Sequence, residues 1–210
     1  FGNVQTNLLV EGFFTDLRDV FALRQLDEAD EAGNAVLERY NGSGARVMGL
    51  NIEAKAFFSS HFDMQGGITL QRSRYKQPEQ WSDNPEVPAE KKMFRTPDIY
   101  GYFTANWEIT HSLKASLTGT GTGPMLVQHL AGSGTDVDLA VRTESFFDAS
   151  LKFTYTFRLY NRVNLDVSAG VSNIFNSYQN DFDRGPLRDS GYMYGPMLPR
   201  CINFGVSLGI

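Results

Sequence analysis

The stretch from Phe147 to Tyr160 alternates apolar and polar side chains over its whole length. Because successive side chains of a β-strand point to opposite faces, it predicts a strand with one apolar and one polar face. The apolar phase consists of Phe147, Ala149, Leu151, Phe153, Tyr155, Phe157 and Leu159. A tilted strand crosses a hydrocarbon layer with about 9–11 residues, so this stretch is typical of the wall of a transmembrane β-barrel.

Further stretches of the chain show the same period, which gives about eight predicted strands of an antiparallel, all-β fold. The strands are predicted near residues 5–25, 35–59, 62–76, 95–110, 112–123, 143–160, 162–175 and 200–210. A soluble antiparallel sheet also alternates in this way, so the period alone does not identify a membrane protein.

The connections between the predicted strands are either very short or very long. Tight turns are predicted at 59–61, 110–112 and 160–162, and long polar segments near 26–34, 77–94, 124–142 and 176–199. Short turns at one rim and long loops at the other are typical of outer-membrane barrels, with the turns toward the periplasm. Aromatic residues near the turns then form part of an interfacial girdle: Phe57, Phe58, Trp107, Tyr155, Phe157 and Tyr160.

Composition excludes several classes of protein. The 210 residues suffice for one domain and contain no apolar run of about 18 residues, so no transmembrane helix is predicted. The net charge of −5 and the scattered lysines and arginines do not favour nucleic-acid binding. The single cysteine, Cys201, excludes an internal disulfide. Because the chain opens at Phe1 without an initiator methionine, we expect it to be part of a larger protein.

Four segments, in order along the chain, resemble motifs of the TonB-dependent outer-membrane receptors. Tyr40 to Glu53 resembles a strand of that family rich in asparagine and glycine and ending in glutamate. Met93 to Pro97 resembles the Arg-x-Pro start of a later strand, and Val171 to Tyr178 resembles the Asn-Ile-Phe-Asn pattern of the penultimate strand. Tyr194 to Arg200 resembles the family's C-terminal ending, in the form most like receptors of the Bacteroidetes.

The resemblance implies that residues 1–210 are the C-terminal portion of a barrel of about 22 strands, of which they supply about eight. It implies energised uptake of a scarce nutrient across the outer membrane of a Gram-negative bacterium. An iron complex, haem or cobalamin is the first expectation, and a glycan is the second. The implied partners are outer-membrane lipid, an upstream plug domain, the remaining barrel strands, TonB through the N-terminal part, and a surface lipoprotein. The final residue, Ile210, departs from the aromatic residue with which such barrels usually end.

The residues that match the family motifs are expected to be structural. Within this group, Pro196 and Pro199 lack backbone donors and therefore belong in a loop rather than a central strand. The group comprises Asn41, Gly44, Gly49, Glu53, Asn173, Phe175, Tyr178, Gly195, Pro196, Pro199 and Arg200.

The outward loops contain the candidate substrate contacts, because loops on a rigid scaffold often bind ligands. The candidates are His129, Asp181, Asp183, Arg184, Arg188, Asp189, Tyr192 and Tyr194. The other interpretation is a solvated loop held by internal ion pairs and aromatic packing, and the sequence does not separate the two. His61, His111 and His129 have no ligand spacing and are expected to be exposed, although His129 keeps a contact to haem or a metal complex as an alternative.

No paired carboxylates, Ser/His/Asp set or metal-ligand cluster stands out, so the sequence predicts no enzyme, cofactor or metal site. Two alternatives to the receptor remain. One is a stand-alone eight-stranded outer-membrane barrel with a structural or adhesive role. The other is a soluble β-protein such as a lipocalin-like binder.

Overall fold

A computed structural model describes residues 4–29, 32–159 and 163–209 of the chain. Within these ranges the ordered elements are β-strands, and no helix is long and apolar enough to cross a membrane. The strands are β1 (Gln5–Leu17), β2 (Phe21–Ala29), β3 (Ala35–Asn41), β4 (Ala45–Ser59), β5 (Phe62–Glu79), β6 (Glu90–Lys92), β7 (Ile99–Glu108), β8 (Leu113–Thr122), β9 (Leu126–His129), β10 (Leu139–Arg142), β11 (Phe146–Arg158), β12 (Asn164–Ser172) and β13 (Cys201–Gly209).

Eight of these strands form one antiparallel meander in the order β1-β4-β5-β7-β8-β11-β12-β13, with the short β6 added beside β5. Each strand of the meander pairs with the next one along the chain, as the alternation of tight turns and long loops predicts. The strand count and the antiparallel arrangement of the sequence prediction are therefore confirmed.

Two strands were predicted too long, and two segments that were predicted as loops contain strand residues of short hairpins. β1 ends at Leu17, and the chain then builds a separate hairpin from β2 and β3 before β4 begins at Ala45. A second hairpin, β9–β10, lies inside the segment predicted as a loop at 124–142. The reason is that any antiparallel ribbon alternates, so the period cannot tell a hairpin in a loop from the barrel wall.

The tight turns lie where they were predicted in the described part of the chain. Only two residues, 60 and 61, separate β4 from β5, and residues 109–112 join β7 to β8. The third predicted turn, Tyr160–Arg162, lies outside the described residues, as do Phe1 and Ile210.

Register shows that one face of the sheet is apolar across all eight strands. Phe153 opposes Ala115 on one side and Ala169 on the other, and Ala115 opposes Trp107. Residues that oppose one another in an antiparallel sheet share a face. Over six strands the row reads Phe204, Ala169, Phe153, Ala115, Trp107 and Phe62. On the remaining two strands, Val10 of β1 and Ile52 of β4 share this face with Ile68 of β5.

The opposite face carries polar side chains that hydrogen-bond from strand to strand. Thr69 Oγ1 donates to Asn51 Oδ1 at 2.9 Å, and Asn51 Nδ2 donates to Glu11 at 3.1 Å. Farther along the sheet, Ser116 Oγ donates to Asn106 Oδ1 at 2.9 Å, and Asn106 Nδ2 donates to Asp63 at 3.2 Å. The two faces of the sheet thus differ in chemistry along its whole width.

The apolar face is not covered by another layer of protein. Among the described residues, only Ala45, Val127, Ala149 and Tyr192 are buried hydrophobic residues. Trp107 is 53% exposed and Phe153 is 42% exposed, although both lie on strands that are paired on each side. Monomeric soluble proteins rarely expose an apolar patch of this extent, so this face requires a nonaqueous environment.

The aromatic residues near the tight turns lie mostly on this apolar face. Tyr155 and Phe157 contact each other with ring centres 4.6 Å apart, and Phe58 stacks on Phe62 at 5.5 Å. The predicted girdle was wrong for Phe57, which opposes Asp63 and therefore lies on the polar face. Tyr160, the remaining predicted member, lies outside the described residues.

Candidate functional site

Three long connections meet at one rim of the sheet. They are the segments 80–98, 123–145 and 173–200, which follow β5, β8 and β12. β5, β8 and β12 are alternate strands of the antiparallel sheet and run in the same direction. The segments that follow them therefore begin at the same edge, opposite the tight turns. The three segments are tied together by hydrogen bonds, and we call the resulting unit the loop cluster.

Backbone and side-chain bonds join all three members of the loop cluster. Ser82 Oγ donates to Asp138 Oδ2 at 2.6 Å, which links the first segment to the second. The backbone N–H of Leu130 donates to Asp189 Oδ2 at 2.8 Å, which links the second to the third. The loop cluster therefore behaves as one structural unit rather than as three independent loops.

Arg95 joins the same three segments and was not among the predicted site residues. Its guanidinium donates to the carbonyl of Met193 at 2.7 Å and to the carbonyl of Gly191. Its own N–H donates to the carbonyl of Leu126 at 2.8 Å. The family motif marked Arg95 as a strand start, but its partners are almost a hundred residues away in sequence and no local pattern reveals them.

His129 lies at the end of β9 and is 8% exposed, which corrects the expectation of an exposed loop histidine. Its ring stacks on Tyr192 with centres 3.7 Å apart and planes within 5°. Its Nε2 lies 3.0 Å from Asp183 Oδ1. One ring nitrogen and one ring face of His129 therefore have partners inside the loop cluster.

The carboxylate of Asp181 accepts hydrogen bonds from the hydroxyls of two tyrosines. Tyr192 donates to it at 2.9 Å, and Tyr194 donates to both carboxylate oxygens at 2.7 and 2.8 Å. The amide of Gln179 locks the same turn, since it donates to the carbonyl of Tyr192 and accepts from the N–H of Tyr194.

This arrangement shifts three pKa values. Partial desolvation opposes ionisation of Asp181, although the residue is exposed, but the hydroxyls of Tyr194 and Tyr192 outweigh it and lower the pKa of the carboxyl. Burial and the hydrogen bond to Asp181 raise the pKa of the Tyr194 phenol. Burial also raises the pKa of Tyr192. The carboxylate and the two neutral phenols thus stabilise one another's charge states.

The remaining candidates are split between the interior and the surface of the loop. Asp189 is structural, because its carboxylate also accepts from the N–H of Gly191 at 2.7 Å. Arg184 and Arg188 are exposed and lie outside the His129–Tyr192 stack. The Arg184 guanidinium sits 5.5 Å from the ring centre of Phe182, and Arg188 donates to the carbonyl of Gly185 at 3.1 Å. The structure thus brings six of the eight predicted residues together and leaves the two arginines to solvent.

A half-open cavity of about 450 Å³ lies within the last loop. Aromatic rings, methionines and charged groups share its wall, a mixture suited to a small amphipathic ligand. Its lining includes Tyr178, Phe182, Asp183, Arg188, Tyr194 and Met197. Among the described residues, no three His, Cys, Asp or Glu side chains come together in a metal-binding arrangement.

The first family motif places its glycines where side chains do not fit. Gly44 has φ of +82°, and a Cβ there would lie 2.3 Å from the carbonyl of Leu17. A Cβ on Gly49 would lie 2.4 Å from the carbonyl of Leu70. Asn41 ends β3, and Glu53 lies on the polar face beside Gly67.

The later motifs shape the last loop. Asn173 is 2% exposed and bonds three backbone groups across the loop, and the N–H of Arg200 donates to Asn176 at 2.9 Å. Gly195, with φ of +77°, packs under the ring of Phe146.

Phe175 is 63% exposed and its ring centre lies 5.6 Å from that of Phe147, on the apolar face. Tyr178 is partly exposed, and Pro196 and Pro199 lie in the loop between β12 and β13.

No protein-family model matches the chain, and no curated protein matches it. Solved structures do. The ferric-catecholate import receptor Fiu from Escherichia coli K12 matches 94% of the chain with a TM-score of 0.60 and 22% identity. The ferric enterobactin receptor PfeA from Pseudomonas aeruginosa matches 99% with a TM-score of 0.59 and 19% identity. The copper transporter OprC matches 97% with a TM-score of 0.55 and 17% identity.

The chain spans 24%, 29% and 28% of the length of these three proteins. At such identities the likeness establishes the fold. Two of the three are named as receptors and the third as a transporter. The chain therefore has the fold of a section of the TonB-dependent receptor barrel, the family that its sequence motifs resemble.

Proposed function

We propose that this chain is the C-terminal wall and loop section of a TonB-dependent receptor that imports a scarce nutrient across the outer membrane. The observation that carries the proposal is the continuous apolar face of eight strands, which no layer of the described residues covers. In a transmembrane barrel the apolar residues of each strand alternate with polar ones and face lipid. Lipid is therefore the environment in which such a face is stable.

The open edges of the sheet support a place in a larger barrel. β1 and β13 each pair on one side only, and no pairing joins them within the described ranges. A strand edge in lipid leaves its N–H and C=O groups without partners, so spanning sheets are closed. We therefore propose that the remaining strands of the receptor pair with β1 and β13, and that its plug domain packs against the polar face.

The same openness weighs against the two alternatives. A stand-alone eight-stranded barrel would pair β1 with β13, and a lipocalin-like binder would enclose its apolar residues. Instead Phe204 of β13 is 81% exposed and Leu8 of β1 is 69% exposed. Both values are expected where a neighbouring strand and lipid cover these residues in the complete protein.

The proposed substrate is a small metal complex, with an iron complex first and haem, cobalamin or copper next. The names of the matched proteins refer to ferric catecholates, ferric enterobactin and copper. The loop cluster offers aromatic surface, phenols and the exposed cations Arg184 and Arg188, which suit an anionic, aromatic complex. A glycan is the second proposal, and a surface lipoprotein that delivers substrate is a proposed partner.

Growth assays with the complete protein test this function. Cells with and without the gene are supplied with one limiting nutrient at a time: a panel of ferric siderophores, haem, cobalamin, copper or a glycan. We expect growth on one nutrient to require both the protein and TonB. A variant with Arg184 and Arg188 changed to alanine should reach the outer membrane normally and import less substrate. Unchanged growth on every nutrient, with the protein correctly inserted, contradicts the import function.

A further inference from the structure

The apolar face of β1, β4 and β5 ends in a cluster of cations at the loop rim. Register continues the apolar rows of these strands into Arg46, Arg72 and Arg74, with Asp16 opposite Arg46. Lys76 follows Arg74 at the same phase of β5. We call Arg18, Arg46, Arg72, Arg74 and Lys76 the basic cluster.

The change from apolar to cationic is abrupt along β5. Its residues on the apolar face read Phe62, Met64, Gly66, Ile68 and Leu70, followed by Arg72, Arg74 and Lys76. Ten residues separate Phe62 from Arg72, and a strand with barrel tilt rises about 25 Å over that length. This height equals the apolar band of an outer-membrane barrel, so the basic cluster lies at the level of the lipid headgroups.

A single carboxylate organises part of the cluster. Asp16 lies 2.8 Å from Lys76 Nζ, 3.3 Å from Arg46 Nε and 3.5 Å from Arg18 Nε. The side chains of Arg18 and Arg46 are nevertheless 81% and 59% exposed. Three cations around one carboxylate leave positive charge in excess at this point of the surface.

Arg72 and Arg74 add further charge without compensation. Both are exposed, and neither has a carboxylate within ion-pair distance in the described part of the chain. On the same face, Leu70 precedes Arg72 along β5, and Met48 and Phe14 lie beside Arg72 in register. Leu70, Met48 and Phe14 are 43%, 41% and 62% exposed, so the surface presents guanidinium groups next to apolar side chains.

We propose that the basic cluster binds the phosphate groups of a phosphorylated lipid in the outer leaflet. Guanidinium groups bind phosphate through paired, charge-assisted hydrogen bonds. The acyl chains of the same lipid then lie along Phe14, Met48 and Leu70. The proposal rests on the proposed membrane function, because it requires lipid at the apolar face and the loop rim on the outside.

The test uses the complete receptor, reconstituted into nanodiscs that contain lipid A, the diphosphorylated lipid anchor of lipopolysaccharide. Arg72→Gln/Arg74→Gln removes two cations that have no ion-pair partner, so assembly should not suffer. Lys152→Gln/Arg158→Gln removes the same charge from exposed positions on the polar face and is the matched control. Resistance of the folded barrel to unfolding in detergent first confirms that each variant is assembled.

We expect native mass spectrometry to show lipid A retained by the wild type and by the control. Retention should fall by about fivefold for each arginine removed. Dephosphorylated lipid A should be retained poorly by all proteins, and inorganic phosphate alone should not bind measurably. Equal retention by the wild type and Arg72→Gln/Arg74→Gln, or equal retention of the dephosphorylated lipid, overturns the lipid site but not the import function. Failure of the wild-type receptor to insert into a membrane overturns both.

Discussion

Asn173 shows how one residue determines the path of the last loop. It has φ of 49°, which asparagine tolerates better than most residues. Its Nδ2 donates to the carbonyls of Ser177 and Leu198 at 3.0 and 2.8 Å, and its Oδ1 accepts from the N–H of Ser177 at 2.8 Å. One buried amide thus holds the beginning and the end of the loop together.

Replacing Asn173 with alanine should destabilise the last loop by about 1–3 kcal/mol, because buried backbone groups lose their partners. Hydrogen exchange at the Ser177 amide in the complete receptor should accelerate accordingly. Asn180→Ala, at an exposed position of the same loop, is the control and should change little. Equal exchange rates in the two variants contradict this role.

The Asp181 carboxylate makes the loop cluster sensitive to acid. Despite partial desolvation, the hydroxyls of Tyr194 and Tyr192 lower its pKa, so its contribution to stability is present above the unfolded pKa of about 3.9. It is lost as the pH falls through the lower folded pKa. Hydrogen exchange over residues 179–194, corrected for intrinsic rate, should therefore accelerate below about pH 4. Asp181→Asn should lack this acid step, and an identical pH profile in both proteins contradicts the account.

Sequence could indicate which residues enter the loop cluster but not how they are used. The concentration of Asp, Arg and Tyr after Asn173 is visible in the chain. The stacking of His129 on Tyr192 and the bonds of Arg95 to residues 191 and 193 depend on contacts between segments far apart in sequence. Such contacts follow from the meander, which only the structure supplies.

At the scale of the strand, side-chain direction decides the effect of a charge. Val167 lies on the apolar face and is 39% exposed, whereas its neighbour Ser168 lies on the polar face and approaches the carbonyl of Gly205. Val167→Arg should cost about 2–4 kcal/mol near the bilayer midplane. Ser168→Arg should cost much less. Equal shifts in a folding titration of the complete barrel contradict the assigned faces.

Close approach of backbones decides the tolerance of strand glycines. A Cβ at Gly49 would lie 2.4 Å from the carbonyl of Leu70, whereas at Gly121 the nearest atom would be 3.7 Å away in the ring of Phe147. Gly49→Ala should therefore destabilise the barrel by about 1–3 kcal/mol. Gly121→Ala, also between two paired strands, should be nearly neutral, and the difference should appear as a shift of the urea midpoint. Equal midpoints contradict the close packing of β4 against β5.

The alternation of apolar and polar residues predicted the strands of the main sheet well and the two hairpins poorly. β11 and β12 lie where the alternation of Phe147–Leu159 and Val163–Val171 placed them. β2 and β3 fall largely within the strands predicted at 5–25 and 35–59, but they pair with each other and do not join the main sheet. The difference lies in Asp19 and Gly44, whose φ values of 51° and 82° redirect the chain and have no distinct mark in the hydrophobic pattern.

At the scale of the whole molecule, the sheet is a wall with two environments. Within the described residues its apolar side is uncovered and its polar side forms a hydrogen-bonded ladder, while β1 and β13 each pair on one side only. The loop cluster at one rim and the tight turns at the other give the wall a direction. This combination is what the proposed receptor function requires of a wall section.

Spin labels along β11 test the central claim that lipid covers the apolar face. Labels are placed one at a time at Phe153 and Tyr155, and at Lys152 and Thr154 as controls, in the complete receptor in lipid. We expect collisions with dissolved oxygen to dominate at 153 and 155, and collisions with a water-soluble nickel complex to be relatively more frequent at 152 and 154. Oxygen-dominated collisions at 152 and 154, or a nickel-accessible environment at 153 and 155, would contradict the account.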